Sequence, residues 1–298
     1  MGKYNGDIDY AYLSKAVFEL GERYPFLKTF SIGQSAGGRE IFALSVGSMS
    51  SAALMAGAFH GSEHITVNVL LKFAEQLCFA IDTNSSIEGI NVKKGLYGRG
   101  AVIIPCVNPD GCEISIHGFS AAGNMADKIR VISKGDYIHY NSNLRGVDIN
   151  HNFDADWETV RKKERKAGIF GPSKTRYGGP FPESEPETAA LCEFCRTNYI
   201  SHAVAFHTQG EVIYWTFGDK TPPKSEQIAQ IMATSSGYAL DFPETMATGG
   251  GFKDWFIKEF NRPAFTVELG IGKNPLPIED ADELYLRVRE MLMLTTIM

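Results

Sequence analysis

The chain has 298 residues, with 29 Lys and Arg against 35 Asp and Glu for a formal charge of −6; 44% of residues are hydrophobic and 21% charged. That composition excludes a disordered chain, the acidic balance argues against a dedicated nucleic-acid binder, and no apolar stretch reaches bilayer length. The start, MGKYNGDIDYAYLSK, has no basic segment followed by an apolar core, and five cysteines are an odd count that suits reduced thiols, so the expectation is a cytoplasmic protein.

Tyr10 to Arg23 places Leu13, Ala16, Val17 and Leu20 at helical spacing and stops before Pro25. Lys28–Ile32 and Ile41–Val46 are β-prone runs joined by the turn residues GQSAGG, which predicts a hairpin. Ala52–Phe59 is continuously apolar, the pattern of a strand buried on both faces, and helical periodicity follows from Ile65 to Ile81. Further strands are predicted at Ala101–Val107, Ser201–Phe206, Val212–Phe217 and Pro263–Leu269. Helices fit Glu185–Asn198, Ser225–Ser235, Phe252–Phe260 and Asp280–Met293. Buried strands alternating with helices predict an α/β fold, a mixed, mostly parallel sheet with helices on both faces. No repeat or linker divides the chain, so residues 1–298 read as one domain. From Asn108 to Pro182 there is little periodicity and much Gly, Asn, Asp and Ser, the composition of long loops that build binding surfaces.

The sharpest local feature is His60-Gly61-Ser62-Glu63-His64, directly after the Ala52–Phe59 run. Two imidazoles and a carboxylate suit a borderline ion such as zinc. The string also spells H-x-x-E-H, an inverted zincin pattern in which both histidines bind from one helix face. Gly61 breaks the strand and Ser62 offers a helix cap, so His60 at the strand end and Glu63 in the first turn are the favoured pair. His207 ends another strand, in SHAVAFHTQG, although a lone histidine there also reads as a core residue. Glu268 ends PAFTVELG, where a buried carboxylate is costly unless it is paired or functional. Open α/β sheets bind ligands beyond the carboxyl ends of their strands, which makes one site of the three features.

With these residues in place, the chain resembles the carboxypeptidase A-like zinc carboxypeptidases. The motifs IGQSAGGREIFAL, GAFHGSEH, VNPDG, RGVDINHNFD, FHTQGEVIYW, GGGFKDWF and FTVELG match in chain order from about Tyr10 to Leu269. HTQGEVIYW, KDWFI and LGIGKNPLP are most similar to the bacterial γ-D-glutamyl-diaminopimelate peptidases. The resemblance implies a mixed sheet of about eight strands, one zinc ion on His60, Glu63 and His207, and Glu268 as general base. It implies as substrate a carboxylate-bearing peptide, a muropeptide, with no nucleic-acid or membrane partner. A general metallocarboxypeptidase and a zinc-holding peptide-binding module are the alternatives.

Arg145, just before GVDIN, is the candidate for the oxyanion cation, with a surface arginine as the other reading. Asn150-His151 stands where many members have the Asn-Arg pair that clamps a terminal carboxylate, so end-recognition is expected to be modified. Met246 falls where the family has a substrate-capping tyrosine. Lys253 falls near the specificity position, where a cation suits an acidic or diaminopimelate side chain; a solvated helix lysine is the alternative. Cys192 and Cys195 have redox-motif spacing but lie inside an apparent helix, so they read as core residues.

Overall fold

The computed structural model describes residues 4–242 and 249–298. Met246 therefore lies outside the described residues. Among the described residues ten strands run in the order β1 (Lys28–Gln34), β2 (Glu40–Gly47), β3 (Ala52–Gly57), β4 (Ser86–Ile87), β5 (Ile90–Asn91), β6 (Gly100–Ile104), β7 (Ile200–Thr208), β8 (Val212–Tyr214), β9 (Ala239–Asp241) and β10 (Ala264–Leu269). The helices are α1 (Tyr10–Arg23), α2 (Ile65–Asp82), α3 (Val92–Gly95), α4 (Pro109–His117), α5 (Ala126–Ile132), α6 (Trp157–Lys166), α7 (Pro186–Thr197), α8 (Ser225–Ser236), α9 (Phe252–Phe260) and α10 (Ala281–Ile297).

Eight strands form one sheet in the order β1-β2-β6-β3-β7-β10-β8-β9, and β4 and β5 pair separately. The central ladder β6-β3-β7-β10 is parallel, with the predicted β1–β2 hairpin antiparallel at one edge. All six residues of β3 are buried, because helices cover both of its faces. Leu13, Val17 and Leu20 of α1, most of α2, and Val288, Met291 and Leu292 of α10 pack on one face, against Met55, Val204, Phe206, Phe265 and Val267. Leu191 and Cys195 of α7, with Phe252, Trp255 and Phe256 of α9, pack on the other, against Leu54, Ala56, Ala203 and Ala205. Side chains alternate along each strand, so the small residues Ala56, Ala203 and Ala205 share a face and leave room at its upper end.

Three expectations are corrected. The apolar runs outlast the strands: β3 stops at Gly57, β6 at Ile104 and β8 at Tyr214, and Ala58 turns the chain with φ 49°. The stretch 108–182 is not all loop, since it contains α4, α5 and α6. Helix α6 left no apolar signature because two of its three buried residues are Arg161 and Glu164, the third being Val160. Ser62 does not cap α2; its hydroxyl instead donates to Asn141 Oδ1 at 2.6 Å. Cys192 and Cys195 are buried in the core as expected. None of the helices among the described residues is long and apolar enough to cross a membrane.

Candidate metal centre

The sequence HGSEH folds as a single 3-10 turn over Gly61–Glu63 that carries the chain from β3 into α2. Gly61 is required there, because a Cβ would collide with the carbonyl oxygens of Gly111 and Tyr140. Its N–H donates to Asn141 O at 3.2 Å. Behind it, Thr66 Oγ1 accepts from Ala58 N at 2.8 Å and donates to Glu63 O at 2.9 Å, locking the turn to the strand. His60 and Glu63 thus project the same way, while His64 points away towards Asp7.

His207 arrives from β7 on the face that also carries Ala203 and Ala205. Its Nδ1 lies 2.9 Å from Glu63 Oε2, and His60 Nδ1 lies 2.9 Å from Glu63 Oε1. The two imidazole centroids are 4.9 Å apart, and one ligand atom from each of the three residues lies within 4.8 Å of the others. Phe59 stacks on the His207 ring at 5.2 Å and excludes water from that side. Glu268 is the register partner of His207 on the adjacent parallel strand, so both side chains emerge on one face of the sheet.

Of the residues behind this cluster, Asp148 and Asn274 were not visible in the sequence. His60 Nε2 lies 3.2 Å from Asp148 Oδ1, and Asp148 is held in turn by Arg176 N–H at 2.7 Å and Thr175 Oγ1 at 3.3 Å. Asn274 Nδ2 donates to Glu63 Oε1 at 3.3 Å and to Thr208 O at 2.8 Å. Asn150 Nδ2 lies 3.4 Å from His207 Nε2, while its Oδ1 accepts from Phe252 N at 3.1 Å. A carboxylate behind a ligand histidine, as Asp148 stands behind His60, fixes ring orientation in metal sites.

Electrostatics follow from this packing. Burial disfavours a charged His60, yet the carboxylates of Glu63 and Asp148 outweigh it and hold the imidazole well above its ordinary pKa. Burial likewise opposes an ionised Glu63, but His60 and His207 pull it down to about 2. Asp148 is held below the carboxylate range, its burial overcome chiefly by His60. Glu268 has the opposite fate: burial, then the charge of Glu63, pushes it up to about 8. Two nitrogens and a carboxylate converging on one point, with a carboxylate behind one ring, fit zinc by donor chemistry and leave a coordination position open.

The other candidates lie at graded distances from this centre. Asn150 and His151 flank it on the short turn Ile149–His151. Lys253 is buried at the start of α9; its Nζ donates to Thr216 O at 2.6 Å and pairs with Asp254. Arg145 is 53% exposed and lies 3.8 Å from Glu185, lining an outer pocket with Lys128, Pro172 and Phe181. The structure does not bring it into the cluster of His60, Glu63 and His207. Of the cations in this stretch, Arg176 and Arg161 act electrostatically on His151.

A sequence model of the zinc carboxypeptidase family matches residues 14–292. The chain is 32% identical over 280 residues to gamma-D-glutamyl-L-diamino acid endopeptidase 1 of Lysinibacillus sphaericus, an alignment that spans 93% of this chain and 69% of the relative. Among solved structures, bovine thrombin-activatable fibrinolysis inhibitor superposes with a TM-score of 0.74 at 19% identity, covering 98% of this chain and 97% of that one. The murein-tripeptide amidase MpaA from Escherichia coli O157 superposes with a TM-score of 0.56 at 22% identity, covering 89% and 91%. These two likenesses establish the α/β fold of the chain.

Proposed function

The chain belongs to the zinc carboxypeptidase family and is a metallopeptidase, and from that premise we propose that it hydrolyses the γ-D-glutamyl–diaminopimelate bond of peptidoglycan-derived peptides. The observation that carries the chemistry is the register of Glu268 beside His207, which sets a carboxylate next to the three converging donors. The substrate class is supported by the name of the Lysinibacillus sphaericus relative, whose alignment spans 93% of this chain and 69% of the relative. MpaA shares its fold.

In this reading His60, Glu63 and His207 hold one zinc ion, which when bound acidifies water and polarises the scissile carbonyl. Asp148, with Oδ1 3.2 Å from His60 Nε2, favours hydrogen on that nitrogen and so leaves Nδ1 for the ion. Glu268 accepts the proton of the attacking water and delivers it to the leaving amine nitrogen, the general base and then general acid of one carboxyl group. Asn150 and His151 stand on the substrate side. Lys253, whose ammonium is shared between Thr216 O and Asp254, places positive charge behind the wall rather than at its surface. Arg145 has its nearest anion in Glu185, so the oxyanion role proposed for it requires the guanidinium to leave that partner. We assign the protein to the cytoplasm, acting on released or imported fragments.

The test is incubation of the zinc-loaded protein with L-Ala-γ-D-Glu-meso-diaminopimelate and with an α-linked peptide of the same size, with products read by mass. The expected result is cleavage of the γ-linked bond, abolished in Glu268→Gln. Cleavage of the α-linked peptide alone would favour a general carboxypeptidase. No cleavage of either, with zinc bound, would favour a binding module.

A further inference from the structure

His151 is held by a buried ionic network that plays no part in the chemistry above. Its Nδ1 lies 2.8 Å from Glu164 Oε1. Glu164 is fully buried, and its Oε2 accepts from Arg161, in close contact, and from Gly178 N–H at 3.2 Å. Arg161 is buried too, with its guanidinium 4.6 Å over the Tyr177 ring. Both donors on Oε2 only donate and one is a buried guanidinium, so the carboxyl is ionised and accepts the imidazole's hydrogen at Oε1. The hydrogen of His151 therefore sits on Nδ1.

The other ring nitrogen has no partner among the described residues, and the side chain keeps about 15% of its surface exposed. A second proton on that nitrogen is opposed first by burial and also by the positive charges of Arg176 and Arg161, although Asp148 favours it. The ring is neutral, and the nitrogen left without a partner offers a lone pair. A guanidinium in the same place would present only N–H groups. The polarity of this contact is reversed.

We propose that His151 is a specificity-determining residue that accepts a hydrogen bond from an N–H group of the substrate and disfavours a free carboxylate at that place. The inference rests on the peptidase reading above and deepens it. Two substrate groups have the required chemistry: the amide N–H of a chain that continues past the leaving residue, and the ammonium of a diamino acid. A carboxylate facing Nε2 would set acceptor against acceptor, with Glu164 behind the ring preventing the tautomer from turning over at low cost.

Four peptides separate the possibilities. L-Ala-γ-D-Glu-X is made with X as lysine or norleucine, each as the free acid and as the carboxamide. The zinc-loaded wild type is expected to favour the carboxamide, the lysine side chain, or both by about three- to tenfold in kcat/KM, the range of one hydrogen bond. Preference for the carboxamide in the norleucine pair identifies the amide source; preference for lysine in either pair identifies the ammonium. In His151→Phe the ratio falls to about one, and His151→Gln, which retains an acceptor, keeps part of it. A readout independent of turnover is the two-bond proton–nitrogen NMR spectrum of His151, expected to show hydrogen on Nδ1 and an Nε2 resonance that moves when lysinamide is added. The inference is overturned if the hydrogen sits on Nε2, if the free acids are preferred, or if His151→Phe leaves the ratios unchanged. In the last two cases cleavage persists and the peptidase reading stands. If none of the peptides is cut while the NMR signature holds, it is the substrate reading that fails.

Discussion

Zinc binding to this protein should release about two protons at pH 7, and removing Glu268 should halve that number. In the metal-free protein His60 is protonated, because Glu63 and Asp148 overcome its burial. It must give up that proton to offer a lone pair. Glu268, pushed up to about 8 by burial and by Glu63, is about nine-tenths protonated at pH 7. A divalent cation cancels the charge of Glu63 that helped to raise it, so the carboxyl ionises as the ion arrives. With each proton costing one power of ten per pH unit, apparent zinc affinity should rise about 100-fold per pH unit near pH 7. In Glu268→Gln the release falls to about one proton and the rise to about tenfold. Above pH 8 the wild type approaches the variant, since Glu268 has by then lost its proton without help. Calorimetric titration in two buffers of different ionisation enthalpy counts the protons directly. Equal release from wild type and Glu268→Gln at pH 7 would refute the coupling between the base and the donor cluster.

Asp148→Ala should weaken zinc about 10- to 100-fold, because His60 loses the carboxylate that orients its ring; competition with a fluorescent chelator measures it. Zinc at 100 times its dissociation constant should stabilise the wild type by about 2.7 kcal/mol against unfolding, and His207→Ala should lose that gain in a thermal melt with and without chelator. Trp255 is fully buried among Phe153, Phe252 and Phe260. Trp255→Ala should cost about 3 to 5 kcal/mol, read as a fall in the urea midpoint. A cost below 1 kcal/mol would mean that this aromatic layer is not a packed core.

The parts of this site that could be read in the sequence are those carried by regular structure. His60, His207 and Glu268 each follow an apolar run, and an apolar run announces a buried strand whose end opens on the sheet's rim. The α/β architecture was legible for the same reason. Asp148, Arg176 and Asn274 were not, because their positions depend on how irregular chain crosses the rim rather than on any period. The Arg161–Glu164 pair was hidden differently. A helix whose buried face is charged looks solvated in sequence, and only its packing under Gly178 and Tyr177 shows that the charges satisfy one another. Asn108, by contrast, stood in plain view within VNPDG. Its side chain accepts from Gly111 N and donates to Phe59 O and Asn141 O, tying the metal turn to the neighbouring loop.

His207 and Glu268 face each other across a parallel ladder whose spacing is set by backbone hydrogen bonds. His151 and Arg176 hang on the long excursion between β6 and β7. In the proposed reading, the reacting groups and the recognising groups therefore sit on different parts of the fold. Apart from the residues that hold the metal turn and its histidine, among them Asn141 and Asp148, loops in 108–182 can be lengthened, shortened or exchanged between relatives while the distance from base to ligand stays where the sheet puts it. For an engineer, that excursion is the place to graft a new substrate preference onto an unaltered hydrolytic centre.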